Sequence, residues 1–252
     1  LALVDADVAA YEAVGAAWVE NPYFQAFCGE RFFQHRLPLD RSSMTRWRNR
    51  IGAGRLETLL ADTLAIACDS GAVKPRAMER VTIDTTVQTK AIAYPTDGHL
   101  MLRAVERLAA LARKQGVTLR QSYARVARHA RREAARLLHG RGHKQGMRHL
   151  RKLRTFLGRL IRDIARKIEG DPACEAAFAE TLERARRIHA QRPGDADKLY
   201  AFHAPEVECI ARGKARARYE FGVKTSVAVT NARGPGGQFV LGARTLPGNP
   251  YD

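Results

Sequence analysis

Asp84 stands alone in the β-branched run Val81-Thr82-Ile83-Asp84-Thr85-Thr86, a composition that favours a strand. An ionised carboxylate inside a buried strand is costly unless something pairs with it, and a divalent cation is a usual partner. Asp84 is therefore a candidate metal ligand and catalytic carboxylate. Two-metal phosphoryl-transfer sites use a few such acids to hold two cations about 3.5–4 Å apart. At least two more acids, from other elements, are needed to complete one. The alternative is a strand-end Asp that bonds turn backbone.

The basic residues offer a second chemistry. The chain has 252 residues and a formal net charge of +17, which points to a polyanionic partner. Between Arg103 and Ile168 there are 20 Lys or Arg against 3 acids, Glu106, Glu133 and Asp163, so this segment holds the whole net charge. With so few acids, pairing at i,i+4 cannot balance the surface. Neutralising a phosphate backbone without reading its sequence is what such a segment suits. Arg128, Arg131, Arg132, Arg136, Lys144, Arg148, Arg151 and Lys152 are the expected phosphate contacts. Charge alone does not separate RNA from DNA. The stretch Ser43-Met44-Thr45-Arg46-Trp47-Arg48-Asn49-Arg50 reads either as a recognition helix, presenting Arg46, Arg48 and Arg50, or as an amphipathic helix whose Trp47 faces the core.

Other clusters carry less. His203, Glu206, Glu208 and Cys209 match no zinc spacing and read as a loop and strand edge. Gly234-Pro235-Gly236-Gly237 lacks the residues of a phosphate loop and reads as a hairpin turn. The cysteines at 28, 68, 174 and 209 have no CxxC spacing, so reduced, partly buried thiols are expected. No apolar run reaches the roughly 20 residues that span a bilayer, and no signal peptide is evident. The start at Leu1 and the stop at Asp252 both read as cut ends.

The elements that must position these residues follow from period and punctuation. Residues 1–75 read as a helical domain. Val8 to Val19 is Ala-rich, and Trp18, Tyr23, Phe24, Phe27, Phe32 and Phe33 are the expected aromatic core. Met44 to Ile51 forms a helix ended by Gly52, and Leu56 to Ala67 forms another. Residues 80–87 are the strand of Asp84. Helices are expected over Leu100–Lys114, from a Thr118 cap to about His139, over 143–168, and over Ala176–Ala190. Met147, Leu150, Leu153, Leu157, Leu160, Ile164 and Ile168 form a seam, and Gly140-Arg141-Gly142 joins two of the helices as an antiparallel hairpin. Tyr219–Thr230 alternates as a strand, and Gln238–Thr245 is its hairpin partner. The fold class is α+β, mainly helical: a sheet interrupted by a basic helical excursion of about 100–190, within a second domain of 76–252.

An ordered set of segments resembles the InsH-like DDE transposases of bacterial insertion sequences. It comprises Trp18-Val19-Glu20-Asn21-Pro22-Tyr23-Phe24-Gln25 with Phe27-Cys28-Gly29-Glu30; Arg46-Trp47-Arg48 with Arg50-Ile51-Gly52; Thr82-Ile83-Asp84-Thr85-Thr86; and Tyr94-Pro95-Thr96-Asp97. Further along come Val207-Glu208-Cys209-Ile210 with Gly213-Lys214-Ala215; Tyr219-Glu220-Phe221-Gly222-Val223-Lys224; and Leu246-Pro247-Gly248-Asn249-Pro250-Tyr251-Asp252. The resemblance implies an N-terminal helical domain and a partial RNase H-like domain. Asp84 would be the first DDE carboxylate on the first strand. Mg²⁺ or Mn²⁺ would be the cofactor of the intact enzyme, and insertion-sequence DNA ends its partner. It further implies a homo-oligomer, no membrane, and a cytoplasmic, nucleoid-associated location.

The chain departs from that pattern at its end. The family's second Asp, in an Asp-x-Gly-Tyr motif, and its Glu follow later elements, and Asp252 precedes them. The resemblance thus implies a transposase fragment that does not cleave DNA alone and whose first strand lies on an open sheet edge. The competing readings are a non-catalytic DNA-binding protein or regulator derived from a transposase, and a decayed product that does not fold.

Overall fold

The computed structural model describes residues 15–140, 142–211, 218–231 and 237–250, without the side chains of 41, 42, 44, 45, 48, 49 and 53. The start of the 8–19 helix, Arg141, Gly213-Lys214-Ala215, the centre of the 231–237 turn and Asp252 lie outside the described residues, as does the side chain of Arg48. The chain is α+β and mainly helical. It forms two compact units, one of Leu1–Ala91 with Ile210–Asp252, the other of Ile92–Cys209.

In the first unit, helix α1 (Pro22–Phe27) starts at Asn21, whose side chain accepts from the Tyr23 N–H at 2.9 Å. Its buried residue is Gln25. The Gln25 amide nitrogen donates to the carbonyls of Trp18, Val19 and Gln34 at 3.2, 3.2 and 2.9 Å, and its oxygen accepts from Gln34 N–H at 2.7 Å. A buried amide satisfied at both ends stitches three stretches of backbone together. The expected aromatic core does not form here. Tyr23, Phe24, Phe27, Phe32 and Phe33 are all exposed, because a helix of six residues has little inward surface and α1 uses it for Gln25.

Helix α2 (Arg41–Asp69) is two helices in one, broken at Gly52, where φ 69° and ψ 172° leave the helical region. That conformation is open to glycine and strained for other residues. After a 3₁₀ turn (Pro75–Met78) comes strand β1 (Val81–Thr89). It pairs antiparallel with β3 (Tyr219–Thr230), from Val81 opposite Thr230 to Thr89 opposite Gly222. On its other edge β3 takes β4 (Val240–Thr245), also antiparallel, with an irregularity between Ala228 and Val229. The short β2 (Glu208–Ala211) also lies against β3. Among the described residues β1 pairs with β3 alone and so forms an edge of the sheet.

The second unit is a helical bundle. Helix α3 (Asp97–Lys114) is capped by the Thr96 hydroxyl, which accepts from His99 N–H at 3.2 Å. Helices α4 (Ala124–Leu138) and α5 (His143–Ile168) form the expected antiparallel hairpin. Helix α6 (Pro172–Ala190) starts at Asp171, which accepts from the N–H groups of Ala173 and Cys174, both at 3.1 Å. The expected seam holds from Leu153 to Ile168, and Leu108, Leu157, Ile164 and Phe178 are wholly buried together. Met147 is exposed. Leu157→Ala should destabilise this unit by about 2–5 kcal/mol through lost burial and the cavity left behind, read as a lower urea midpoint of the helical signal.

Helix α4 begins at Ala124 rather than after Thr118. The segment before it is tied to α5 instead: Arg120 N–H donates to Asp163 at 3.0 Å, and the Lys167 ammonium donates to the Thr118 carbonyl. Tyr123 then takes φ 57° and stacks on Phe156, ring centroids 5.2 Å apart. Those long-range ties override the local capping signal at Thr118. All four cysteines are free, Cys28 exposed and the others half-buried. Among the described residues no helix is long and apolar enough to cross a membrane.

Candidate nucleic-acid interface

Helix α5 sorts its residues by face. Leu153, Leu157, Leu160, Ile161, Ile164 and Ile168 point inward, while Lys144, Arg148, Arg151, Lys152, Arg159, Arg162 and Arg166 are exposed. At 100° per residue those seven cations fall within one stripe along the outer side of the helix. On α4, Ala127, Ala130 and Ala134 are buried, and Arg125, Arg128, Arg132 and Arg136 lie on the exposed side. Small alanines draw α4 close to the bundle, and long cations on the far side keep their charge in water.

The three acids of this segment each hold bases. Glu106 pairs with Arg103 at 3.3 Å and Arg128 at 2.7 Å. Glu133 pairs with Arg136 at 2.7 Å. Asp163 pairs with Arg166 at 3.0 Å and Lys167 at 3.1 Å. Among the described residues no carboxylate lies within ion-pair reach of Arg125, Arg131, Arg132, Lys144, Arg148, Arg151 or Lys152. Exposed pairs such as Arg136–Glu133 are weak, so Arg128 and Arg136 remain able to exchange their partners for a phosphate.

Of the expected contacts, Arg132, Lys144, Arg148, Arg151 and Lys152 are exposed on α4 and α5. Arg131 is half-buried and lines a cavity of about 420 Å³ with His99, Leu102, Arg103, Glu106, Arg128 and Arg132. Arg46 and Arg50 are exposed on α2, beside a Trp47 that is 57 % exposed and does not face a core. Sequence reasoning passed over Arg125, Arg159 and Arg162. The recurrence of Lys144, Arg148, Arg151, Arg159 and Arg162 at helical spacing could have found the last two.

Asp84 is exposed on β1, opposite Val227. One of its carboxylate oxygens accepts from the Thr85 N–H at 2.8 Å. The desolvation cost expected of a buried strand therefore does not arise, because Val81, Thr82, Ile83 and Asp84 are all exposed. Among the described residues no three His, Cys, Asp or Glu side chains come together as a metal site. His203, Glu206, Glu208 and Cys209 lie on a loop and on β2, as the spacing suggested.

Two histidines tie the bundle's stability to pH. Burial, then Arg103 and Arg131, push His99 below its ordinary value of 6.5. Burial, then Arg154 and Arg162, do the same to His189. Both protonate more readily in the unfolded chain, so their contribution is present above about pH 6.5 and is lost as pH falls. Asp163 does not confound that window. Burial raises it, but the Arg120 N–H, Lys167 and Arg166 together hold it below 3.8, so its contribution is lost only in stronger acid. The melting temperature should fall between about pH 7 and pH 5.5, and His99→Gln with His189→Gln should flatten that slope.

No family profile and no solved structure matches the chain. Over 130 residues it is 52 % identical to a Rhizobium meliloti protein described as uncharacterized protein ORF8 in the nfe locus, a match covering 52 % of this chain and 63 % of that protein.

Proposed function

We propose that the chain is a DNA-binding polypeptide of transposase descent, whose helical unit grips the phosphate backbone of element ends. The observation that carries this reading is the outer stripe of α5, where Lys144, Arg148, Arg151 and Lys152 are exposed with no carboxylate partner among the described residues. Cations held at regular spacing on a rigid helix neutralise phosphates and release counterions without reading bases.

Descent from an InsH-like DDE transposase is supported by the ordered motifs and by the strand arrangement. β1, β3 and β4 lie side by side and antiparallel. A helical unit separates β1 from β3 in the chain, as the resemblance implies for the first strands of an RNase H-like domain. Homo-oligomerisation of the intact enzyme and nucleoid association belong to the same proposal.

The described residues do not fit a pair of divalent cations. Asp84 offers one carboxylate, partly used by the Thr85 N–H, and among the described residues it belongs to no group of three His, Cys, Asp or Glu side chains. That lack of companions favours the second reading, a non-catalytic DNA binder or regulator. A labelled duplex titrated by fluorescence anisotropy, with supercoiled plasmid as a nicking substrate in Mg²⁺, tests both. Tight duplex binding, unchanged in Asp84→Asn, with no nicking, is the expected result. Nicking that vanishes in Asp84→Asn would instead make the chain catalytic, and the absence of duplex binding would overturn the proposal.

A further inference from the structure

Below Lys152 the stripe of α5 meets the segment that precedes α4, and the two enclose a notch of about 490 Å³ lined by Arg120, Gln121, Tyr123, Arg159, Arg162, Asp163 and Arg166. We propose that this notch is a discrete phosphate-binding site, separate from the open stripe above it.

Its walls are fixed before any ligand arrives. Asp163, 8 % exposed, receives the Arg120 N–H at 3.0 Å, an Arg166 guanidinium N–H at 3.0 Å and the Lys167 ammonium at 3.1 Å. Lys167 also donates to the Thr118 carbonyl. The 118–120 segment is thereby clamped to α5, and the Tyr123–Phe156 stack secures its far end. A site whose supports are already ordered loses little freedom on binding.

The charge balance points to an anion. Four guanidiniums line the notch with one carboxylate, and that carboxylate is committed to Arg166, Lys167 and backbone. Among the described residues no acid lies within ion-pair reach of Arg120, Arg159 or Arg162. Arg159 and Arg162 rise from neighbouring turns of one helix face, so their like charges stand together unless an anion enters. Planar guanidinium forks match the oxygens of a phosphate, and several acting together favour a group with three or more free oxygens.

The phosphate could come from a polynucleotide backbone or from a free nucleotide. The site is a local geometry and stands apart from the duplex reading. Pyrophosphate titrated into the full chain by calorimetry, in a phosphate-free buffer of low ionic strength, is the probe. One saturable site is expected. Arg159→Ser with Arg162→Ser should weaken it by about tenfold or more. Lys144→Ser with Lys152→Ser, which removes the same charge higher on the same stripe, should change it by no more than about twofold. Arg159→Lys with Arg162→Lys keeps the charge and loses the forks, so it should lie between the two. Melting midpoints of all variants show whether the fold is kept.

Displacement of pyrophosphate by a duplex lacking terminal phosphates would assign the site to backbone, whereas displacement by a nucleoside triphosphate alone would assign it to a free nucleotide. No saturable pyrophosphate binding, or equal weakening by the two serine pairs, would overturn the site. Duplex affinity that still depends on Lys144–Lys152 would then leave the duplex reading standing.

Discussion

Replacing Lys144, Arg148, Arg151 and Lys152 together by alanine should lower duplex affinity by roughly 10³-fold at about 0.1 M salt, with little change in melting temperature. Each cation that meets a phosphate releases counterions, and the logarithm of the binding constant falls with the logarithm of salt at about 0.9 per contact. Removing four contacts should therefore make the slope shallower by about 3–4. The four side chains are exposed on the outer face of α5, so their loss leaves the seam beneath untouched. Alanine is also a better helix former than the residues it replaces. A variant that keeps the slope while losing affinity would place the duplex elsewhere. The same substitutions should weaken all sequences alike, since backbone contacts position a protein without specifying a site.

The second large effect lies in the sheet. Gly222 sits in β3 opposite Thr89, and a Cβ added there would lie 2.0 Å from the Gln88 carbonyl oxygen and 2.8 Å from the Thr89 Cα. Both neighbours are backbone, so no side chain can swing aside. Gly222→Ala should therefore force β1 and β3 apart and cost about 3 kcal/mol or more, the upper end of overpacking, with loss of soluble yield or a much lower urea midpoint. Gly242→Ala is the control. It lies in β4 of the same sheet, and an added Cβ there meets nothing within 4 Å. It should change stability by less than about 0.5 kcal/mol. Equal effects at the two positions would mean that the close approach at Gly222 is not what the sheet depends on.

Elements governed by local pattern were legible in the chain. The alternation of Tyr219–Thr230 marks β3 at its observed bounds, and Gly52 ends a helix where its positive φ breaks α2. The run of cations on α4 and α5 was visible as composition. What escaped depends on partners distant in sequence. Thr118 has the type of a helix cap, but the Asp163 carboxylate 43 residues beyond Arg120 captures that segment. The aromatics near residue 30 look like a core, yet Gln25 occupies the inward position of α1. Asp84 signals a metal ligand only if its strand is buried and other acids converge. Convergence is a property of tertiary structure that one strand cannot announce, and the described residues form no group of three such side chains. The notch around Arg159 and Arg162 was hidden for the same reason, since Arg120, Gln121 and Tyr123 of its wall come from the segment ahead of α4.

The interrupted sheet also imposes an order on synthesis. β1 leaves the ribosome at Val81–Thr89, and its partner β3 follows only after about 130 further residues. At roughly 5–20 residues per second the first strand waits on the order of ten seconds for its neighbour. The intervening helices draw on contacts close in sequence and can fold within that interval. The nascent chain thus carries a folded basic bundle while its sheet is still a single unpaired strand. That stage is the one most exposed to strand mispairing and to chaperones.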